Sequence, residues 1–286
     1  MFSWIRTGSL VLLFCTFLVI PSLVIASLGI PAQAQNSEQL EVGPPPIHRA
    51  EPPAPEASPE ELEQRGDDLR ANKNFLDAVD YYQAALKRSP GSATLLNKIG
   101  ICQILLRRLI ESKKSLERAV RADHRYADAY NNLGVVYYEF GVNNHTSGDF
   151  NKAIKMYDKA IALSDEYASY YNNRAAAYFA KKRYEQASID YANALRLDPD
   201  IFERTSRAGV QAMLPSPEDK ARYEYVVAKL YAKMGVTDRS LHYLRKAMED
   251  GYKDIKNVYK DNEFGTLRKD PRFAELMSAK TLAISD

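Results

Sequence analysis

Cysteine, histidine and net charge are all scarce in this chain of 286 residues, and each shortage argues against a class of function. Cys15 lies in an apolar N-terminal run, so Cys102 has no intrachain disulfide partner if that run is removed. The four histidines are scattered, and none has the spacing of metal ligands. A net charge of +2 argues against nucleic acid, or an anionic membrane surface, as the main partner.

Catalytic motifs are also missing from the sequence. It contains no GxSxG nucleophile turn and no glycine-rich loop of the kind that cradles phosphate. Paired acids such as Glu60 and Glu61 have the positions of helix-capping residues instead. We therefore predict that the chain is not an enzyme and that it binds no cofactor or metal.

The N-terminus has the organisation of a targeting segment. Arg6 precedes an apolar run over residues 10–30, which ends in the small-x-small sequence Ala32-Gln33-Ala34. This order predicts a secretory signal peptide that is cut after Ala34. The run is about 21 residues long, which also suits a membrane-spanning helix, so residues 1–34 are either a signal peptide or an anchor. Both interpretations place the remainder outside the cytoplasm, and the Ala-Gln-Ala ending favours the bacterial periplasm.

Proline is concentrated just after this segment. Seven of the 14 prolines lie between Pro44 and Pro59. Proline-rich chain is stiff and extended and cannot form helix, so residues 35–58 are predicted to be a disordered linker. A polyproline ligand for an aromatic groove of another protein is the alternative.

What the chain does contain is one residue pattern that recurs every 34 residues. Its apolar positions are three and four residues apart, which predicts paired amphipathic helices. Repetition at a period of 20 to 50 residues is typical of a solenoid. The first copy carries Leu62, Gly66, Leu69, Phe75, Ala78, Tyr82, Ala85 and Pro90.

Two helix starts are marked by the same design. Ser58-Pro59-Glu60-Glu61 and Ser216-Pro217-Glu218-Asp219 each place a serine cap before a proline and an acid at the third helical position. The second of these motifs separates four regular copies of the pattern from a C-terminal unit.

This pattern resembles the tetratricopeptide repeat, closely over residues 59–201 and more weakly over 221–254. The resemblance implies an all-α, right-handed superhelical solenoid of antiparallel helix pairs. The expected segments are four repeats at 59–92, 93–126, 127–167 and 168–201, a connector at 202–220, a degenerate fifth repeat at 221–254, and a C-terminal helical cap and tail at 255–286.

The sequence departs from the family pattern at several places. The usual tryptophan is replaced, and Ser112 stands where alanine is common. The third repeat has 41 residues, and residues 142–148 are the expected inserted turn. The replacements for tryptophan are Leu62, Leu96, Tyr130, Tyr171 and Glu224.

In proteins of this family the first helix of each repeat lines a concave face. By resemblance, an asparagine ladder there would grip an extended peptide, because amides both donate and accept hydrogen bonds. Amides that satisfy local groups of this chain are the alternative. The expected groove residues are Asn97, Ile101, Asn131, Asn132, Val135, Tyr138, Asn172, Asn173, Ala176 and Phe179.

Charges along the same face suggest a polarity. Acids at the N-terminal end and bases at the C-terminal end would orient a ligand that has two charged ends, although a solvated helix face explains them equally. Glu63 and Asp67 occupy positions where a carboxylate clamp for chaperone C-termini needs Lys and Asn, which excludes that clamp. The charged residues are Glu60, Glu63, Asp67, Arg222, Lys229 and Lys233.

Two functions follow as expectations. The first is a non-catalytic interaction scaffold outside the cytoplasm, which binds a peptide or a helix of another protein in its concave groove. The second is a membrane-anchored assembly or structural factor of an envelope, secretion or pilus complex. The partner is expected to be protein, with no nucleic acid, and with membrane contact only through residues 10–30 if they are not removed.

Overall fold

The computed structural model describes residues 49–203 and 216–282, with side chains up to residue 278. Within those residues the chain forms helices and no strand. The predicted signal or anchor segment at 1–34, residues 35–48 of the predicted linker, and residues 204–215 of the predicted connector lie outside the described residues. The helices are α1 (Pro59–Ala71), α2 (Phe75–Arg88), α3 (Ala93–Leu105), α4 (Leu109–Ala122), α5 (Ala127–Asn144), α6 (Ser147–Leu163), α7 (Ala168–Ala180), α8 (Tyr184–Leu197), α9 (Pro217–Lys233), α10 (Thr237–Glu249) and α11 (Pro271–Leu282).

The helices pack as successive pairs. Each odd-numbered helix from α1 to α9 packs against the helix that follows it, and α3, α5 and α7 also contact one another in order. The predicted helix starts are confirmed at α1 and α9. Ser58 and Glu61 form a reciprocal capping box, and the Ser216 hydroxyl accepts from the backbone N–H of Asp219.

Small residues lie where the two helices of a pair cross. A Cβ added to Gly134 would lie 2.5 Å from Cε1 of Tyr157, so the ring of α6 rests directly on the backbone of α5. In the second pair the Ser112 hydroxyl donates to the Gly100 carbonyl oxygen at 2.8 Å, inside the core. The serine that departs from the family pattern is therefore satisfied by the neighbouring helix backbone.

The third pair differs from its prediction. Residues 142–148 were expected to form a turn, but α5 continues to Asn144 and α6 begins at Ser147. The insertion lengthens both helices, and only His145 and Thr146 remain between them. The extension is held by packing, because the Phe150 ring of α6 lies directly on the backbone of Gly141 in the added part of α5, where an added Cβ would be 2.7 Å from the ring.

The predicted disordered linker is wrong for its last ten residues. Residues 49–58 lie against α2, where Arg49 pairs with Asp77 at 2.6 Å and the Tyr81 hydroxyl donates to the Glu51 carbonyl oxygen at 3.0 Å. Arg88 donates to the Pro55 carbonyl oxygen in the same region. Proline prevents helix here, but the carbonyl groups that it leaves free accept from side chains of α2.

The C-terminal segment closes the last helix pair. Three short 3-10 helices at Ile255–Tyr259, Asn262–Phe264 and Leu267–Lys269 precede α11. The four side chains expected on the inner side of a cap are all buried, at 0 to 8% exposure. A solenoid needs such a cover over its final apolar face. These side chains are Phe264, Leu267, Phe273 and Leu276.

The helices of the described region were also compared with the length and hydropathy of a membrane-spanning segment. No helix in residues 49–203 or 216–282 combines the length and apolar character that crossing a bilayer requires.

Cys102 lies on α3 and is fully buried, and burial raises the pKa of its thiol to about 12. The residue is packed as a small apolar side chain.

Candidate peptide-binding face

The five asparagines expected in the groove lie on α3, α5 and α7, and all of them are buried. Their exposed fractions run from 0% for Asn131 to 4% for Asn97. Asparagine is mostly exposed in proteins, and a buried amide must find hydrogen-bond partners. These amides can therefore be buried only if other groups form hydrogen bonds with them.

The amides contact one another across the repeats. Asn132 Nδ2 donates to Asn97 Oδ1 at 2.9 Å, which joins α5 to α3. Asn173 Nδ2 donates to Asn131 Oδ1 at 3.1 Å, which joins α7 to α5. Asn131 Nδ2 lies 3.4 Å from Asn132 Oδ1 and links the two bonds into one row. The row ends at Tyr126, whose hydroxyl oxygen accepts from Asn97 Nδ2 at 3.2 Å.

The apolar groove residues are placed differently from the prediction. Val135, Tyr138 and Phe179 have no exposed surface, and Ala176 is 2% exposed. Tyr138 packs on Phe150, and Phe179 packs on Tyr184 of α8, so both rings contact their own second helix. Burial also raises the pKa of Tyr138 above its ordinary value. Of the ten expected groove residues, only Ile101 is half-exposed.

At the N-terminal end of the face, two of the three expected acids are already paired. Lys98 of α3 contacts Glu63 Oε1 at 2.7 Å and Asp67 Oδ2 at 2.6 Å, and both acids lie on α1. The Tyr82 hydroxyl donates to Asp67 at 2.7 Å. Burial works to raise the pKa of Asp67, but the hydrogen bonds from Lys98 and Tyr82 outweigh it, so this pKa lies below its usual value.

Two of the three expected bases at the other end are paired as well. Lys229 contacts Asp261 at 3.0 Å, and Arg222 lies 3.9 Å from Asp254 and over the rings of Tyr184 and Tyr252. Neighbouring repeats thus neutralise most of the charge that suggested a polar gradient. This finding favours the interpretation in which these charges stabilise the solenoid.

Family comparisons agree with this arrangement. Models described as "TPR repeat" or "Tetratricopeptide repeat" match residues 64–112, 145–182 and 168–201, which include parts of the first, second, third and fourth helix pairs. The chain is a tetratricopeptide repeat protein. Proteins built from this repeat are generally non-catalytic and serve as protein–protein interaction scaffolds.

A solved structure shows the same fold. A thermophilic tetratricopeptide repeat protein of Thermus thermophilus, TTC0263, superposes with a TM-score of 0.50 at 20% identity, over 77% of this chain and 99% of that chain. The MamA protein superposes with a TM-score of 0.45 at 21% identity, over 71% of this chain and 94% of that chain.

One curated relative is similar over a short stretch. It is the inactive TPR repeat-containing thioredoxin TTL3 of Arabidopsis thaliana, 34% identical over 84 residues. The match covers 29% of this chain and 12% of that protein, so this tetratricopeptide repeat chain resembles a small part of that relative.

Sequence reasoning placed the asparagines on the correct helices of this tetratricopeptide repeat protein, but it missed their partners. Asn97 and Asn132 are 35 residues apart, and Asn131 and Asn173 are 42 apart, across the longer third repeat. Polar residues that recur at the repeat spacing are the signal that could have predicted these bonds. The described residues contain no cluster of side chains that could hold a metal ion.

Proposed function

We propose that this tetratricopeptide repeat protein is a non-catalytic scaffold outside the cytoplasm, and that it holds a peptide or a partner helix on the face formed by α3, α5 and α7. The observation that carries the proposal is the row of amides from Asn97 to Asn173, which runs across three consecutive repeats. A row of that kind offers a peptide backbone both donors and acceptors at the repeat spacing.

Burial of the amides determines how such binding works. An amide group has two N–H donors and two acceptor sites on its oxygen, so one amide–amide bond leaves capacity for a ligand. The Ser169 hydroxyl on α7 is buried and has no hydrogen-bond partner among the described residues, and Ile101 is partly exposed on α3. In this proposal the ligand reaches Ile101 first and then exchanges hydrogen bonds with the Ser169 hydroxyl and the amides.

A site-specific crosslink tests which face holds the partner. A photoreactive amino acid replaces Ile101 on the concave face, and a matched variant carries it at Lys155, an exposed position of α6. After illumination of cells, the partner is identified by mass spectrometry of the crosslinked band. We expect a defined crosslink from position 101 and none from position 155. The reverse result would contradict binding on the concave face.

Removal of the amides tests their role in that binding. The double change Asn132→Ala and Asn173→Ala is expected to abolish capture of the partner found by crosslinking. Each change also leaves a buried partner amide unsatisfied, which costs about 1–3 kcal/mol of stability. Circular dichroism at the assay temperature therefore has to show that the variant is folded. A folded variant with undiminished capture would refute the role of the amides.

The anchored assembly factor remains the second candidate, and the apolar run at residues 10–30 favours it. N-terminal sequencing of the protein from cells separates the two. A mature protein that begins at residue 35 is expected for the soluble scaffold, whereas an intact chain in the membrane fraction is expected for the assembly factor.

A further inference from the structure

The connections between helices form two separate edges of the solenoid. The turn edge is formed by the connections inside each pair, at residues 72–74, 106–108, 145–146, 181–183 and 234–236. The loop edge is formed by the connections that follow each pair, at residues 89–92, 123–126, 164–167, 198–203 and 250–254. Helices of at least 13 residues separate the edges by about 20 Å, so the two edges face in opposite directions.

Charge is segregated between these edges. The turn edge carries lysine or arginine at six positions and no acid. The loop edge carries eight acids and two bases over the ranges given above. Helix dipoles do not explain the difference, because every connection on either edge joins the C-terminus of one helix to the N-terminus of the next.

Three of the six bases of the turn edge are held in an unfavourable backbone conformation. Lys73, Arg107 and Lys182 have φ angles of 63°, 60° and 59°, in the left-handed region that disfavours side chains. Gly235 occupies the same place in the fifth turn with a φ of 75°. Glycine is therefore compatible with this turn, and the chain places a long cationic side chain there three times. Strained residues of this kind concentrate at functional sites.

Each edge also carries a matching apolar patch. On the turn edge, Leu105 and Ile110 flank Arg107 and Arg108 and are 42% and 67% exposed. On the loop edge, Leu163 and Tyr167 are 40% and 41% exposed. They flank two adjacent exposed acids, Asp165 and Glu166, that form no ion pair within the described region. Arg107 contacts Glu139, and Arg108 lies 3.8 Å from Glu111. Each patch therefore places two neighbouring charged side chains beside two exposed apolar ones, with bases on the turn edge and acids on the loop edge.

We propose that the turn edge of one copy of this chain docks on the loop edge of a second copy. The two edges of a single molecule face away from each other, so the complementary surface has to come from another molecule. A two-fold symmetric dimer would place like charges together, whereas a head-to-tail arrangement pairs opposite charges. Head-to-tail contacts that do not close into a ring generate open arrays. The net charge of +2 conceals this feature because it averages the two edges.

Charge reversal tests the proposal. The turn-edge variant carries Arg108→Glu and Lys182→Glu, and the loop-edge variant carries Asp165→Lys and Glu166→Lys. A control variant carries Lys114→Glu and Lys155→Glu, at exposed positions in the middle of α4 and α6. The full chain is studied by sedimentation velocity in a non-ionic detergent, so that association through residues 10–30 is the same in all variants.

We expect the wild-type chain to form larger species as its concentration rises, and these species to disappear between about 0.05 M and 0.5 M salt, because screening weakens exposed charge pairs. Each edge variant should lose at least about tenfold in association, and the control variant should not. An equimolar mixture of the two edge variants should recover association, because the unaltered loop edge of one meets the unaltered turn edge of the other and their altered edges also attract each other. Thermal unfolding of each variant by circular dichroism shows that it is folded.

Three results would overturn the proposal. The first is a wild-type chain of constant size at low salt, and the second is a mixture of folded variants that does not recover association. The third is a wild-type chain that does not self-associate but binds vesicles of anionic phospholipid, with binding lost only in the turn-edge variant. That third result would assign the turn edge to a lipid surface.

Discussion

The fifth helix pair, α9 and α10, has the same arrangement as the fourth, α7 and α8, and two of the positions at which they differ are informative. Where the fourth pair has Tyr171, the fifth has Glu224, which is 1% exposed. Where the fourth has Lys182 in a left-handed turn, the fifth has Gly235. The crossing position is alanine in both pairs and glycine in the first three. Equivalent positions of two helix pairs can therefore hold residues of different size or charge when the side chains around them also differ.

The crossing position illustrates this dependence. In the third pair Gly134 lies under the ring of Tyr157, and there is no space for a Cβ. In the fourth pair Ala175 occupies the corresponding place, and Tyr191 stands at the position of Tyr157. The Tyr191 ring packs edge-on against Tyr223 of the next pair, with ring centroids 5.2 Å apart. The glycine of the third pair is therefore matched to the placement of its own ring.

The largest loss of stability is expected when the alanine found at the crossing position of the fourth pair replaces the glycine of the third pair. Gly134→Ala should reduce the free energy of unfolding by about 1–3 kcal/mol, because its Cβ would overlap the Tyr157 ring. Chemical denaturation measures the loss. Gly148→Ala is the matched control, since its Cβ would meet no atom within 4 Å. If both variants have the same stability, the close approach does not explain the glycine.

Glu224 is expected to give an intermediate, pH-dependent effect. Burial and the nearby Asp250 carboxylate raise its pKa to about 7, against an ordinary value of 4.5, although Lys220 and Lys246 lie within 4 Å and oppose the shift. The folded state therefore prefers the protonated form. Its contribution to stability is present below pH 4.5 and is lost as the pH rises through about 7.

The measurement is the midpoint of thermal unfolding at about pH 5 and about pH 8. We expect the wild-type midpoint to fall by at least about 2 °C over this range relative to that of Glu224→Gln, which does not titrate. Glu224→Leu, which restores the residue type of the first two pairs, should be equally insensitive. Parallel curves for all three proteins would show that Glu224 does not determine the pH dependence.

The smallest effect is expected in the turns. Lys182→Gly should increase the free energy of unfolding by about 0.5–1 kcal/mol, because glycine adopts the left-handed conformation without strain. The greater freedom of glycine in the unfolded chain offsets part of this gain. Gly235→Ala should reduce the free energy of unfolding by a similar amount. Urea denaturation of both variants measures these differences. A loss of stability in Lys182→Gly would mean that its side chain stabilises the fold through contacts.

The parts of this structure that depend on local sequence were predictable. Ser58 and Ser216 mark helix starts because their hydroxyls cap backbone groups only three residues away. The repeated helix pairs were predictable because apolar residues three and four positions apart mark one face of a helix, and this pattern recurs every 34 residues. Tertiary pairing was not predictable in this way. Whether Asn132 meets Asn97 or a ligand depends on how one repeat is placed on the next.

The third pair shows the same limit. Asparagine, histidine and glycine near residue 145 are typical of a turn, and that composition predicted a loop over 142–148. The Phe150 ring packs on the backbone of Gly141 in the added part of α5, so tertiary packing overrides local preference. Glu224 is a comparable case, since the Lys246 and Asp250 near it belong to the next helix and its C-terminal end.

The buried thiol of Cys102 gives this protein a built-in reporter of local opening. A thiol-specific reagent reacts only with the exposed thiolate, and both burial and the raised pKa prevent that reaction while α3 stays in place. The labelling rate therefore measures how often the second repeat separates from its neighbours. Because α3 also carries Asn97 and Ile101, the same rate would slow when a ligand occupies the face beside it.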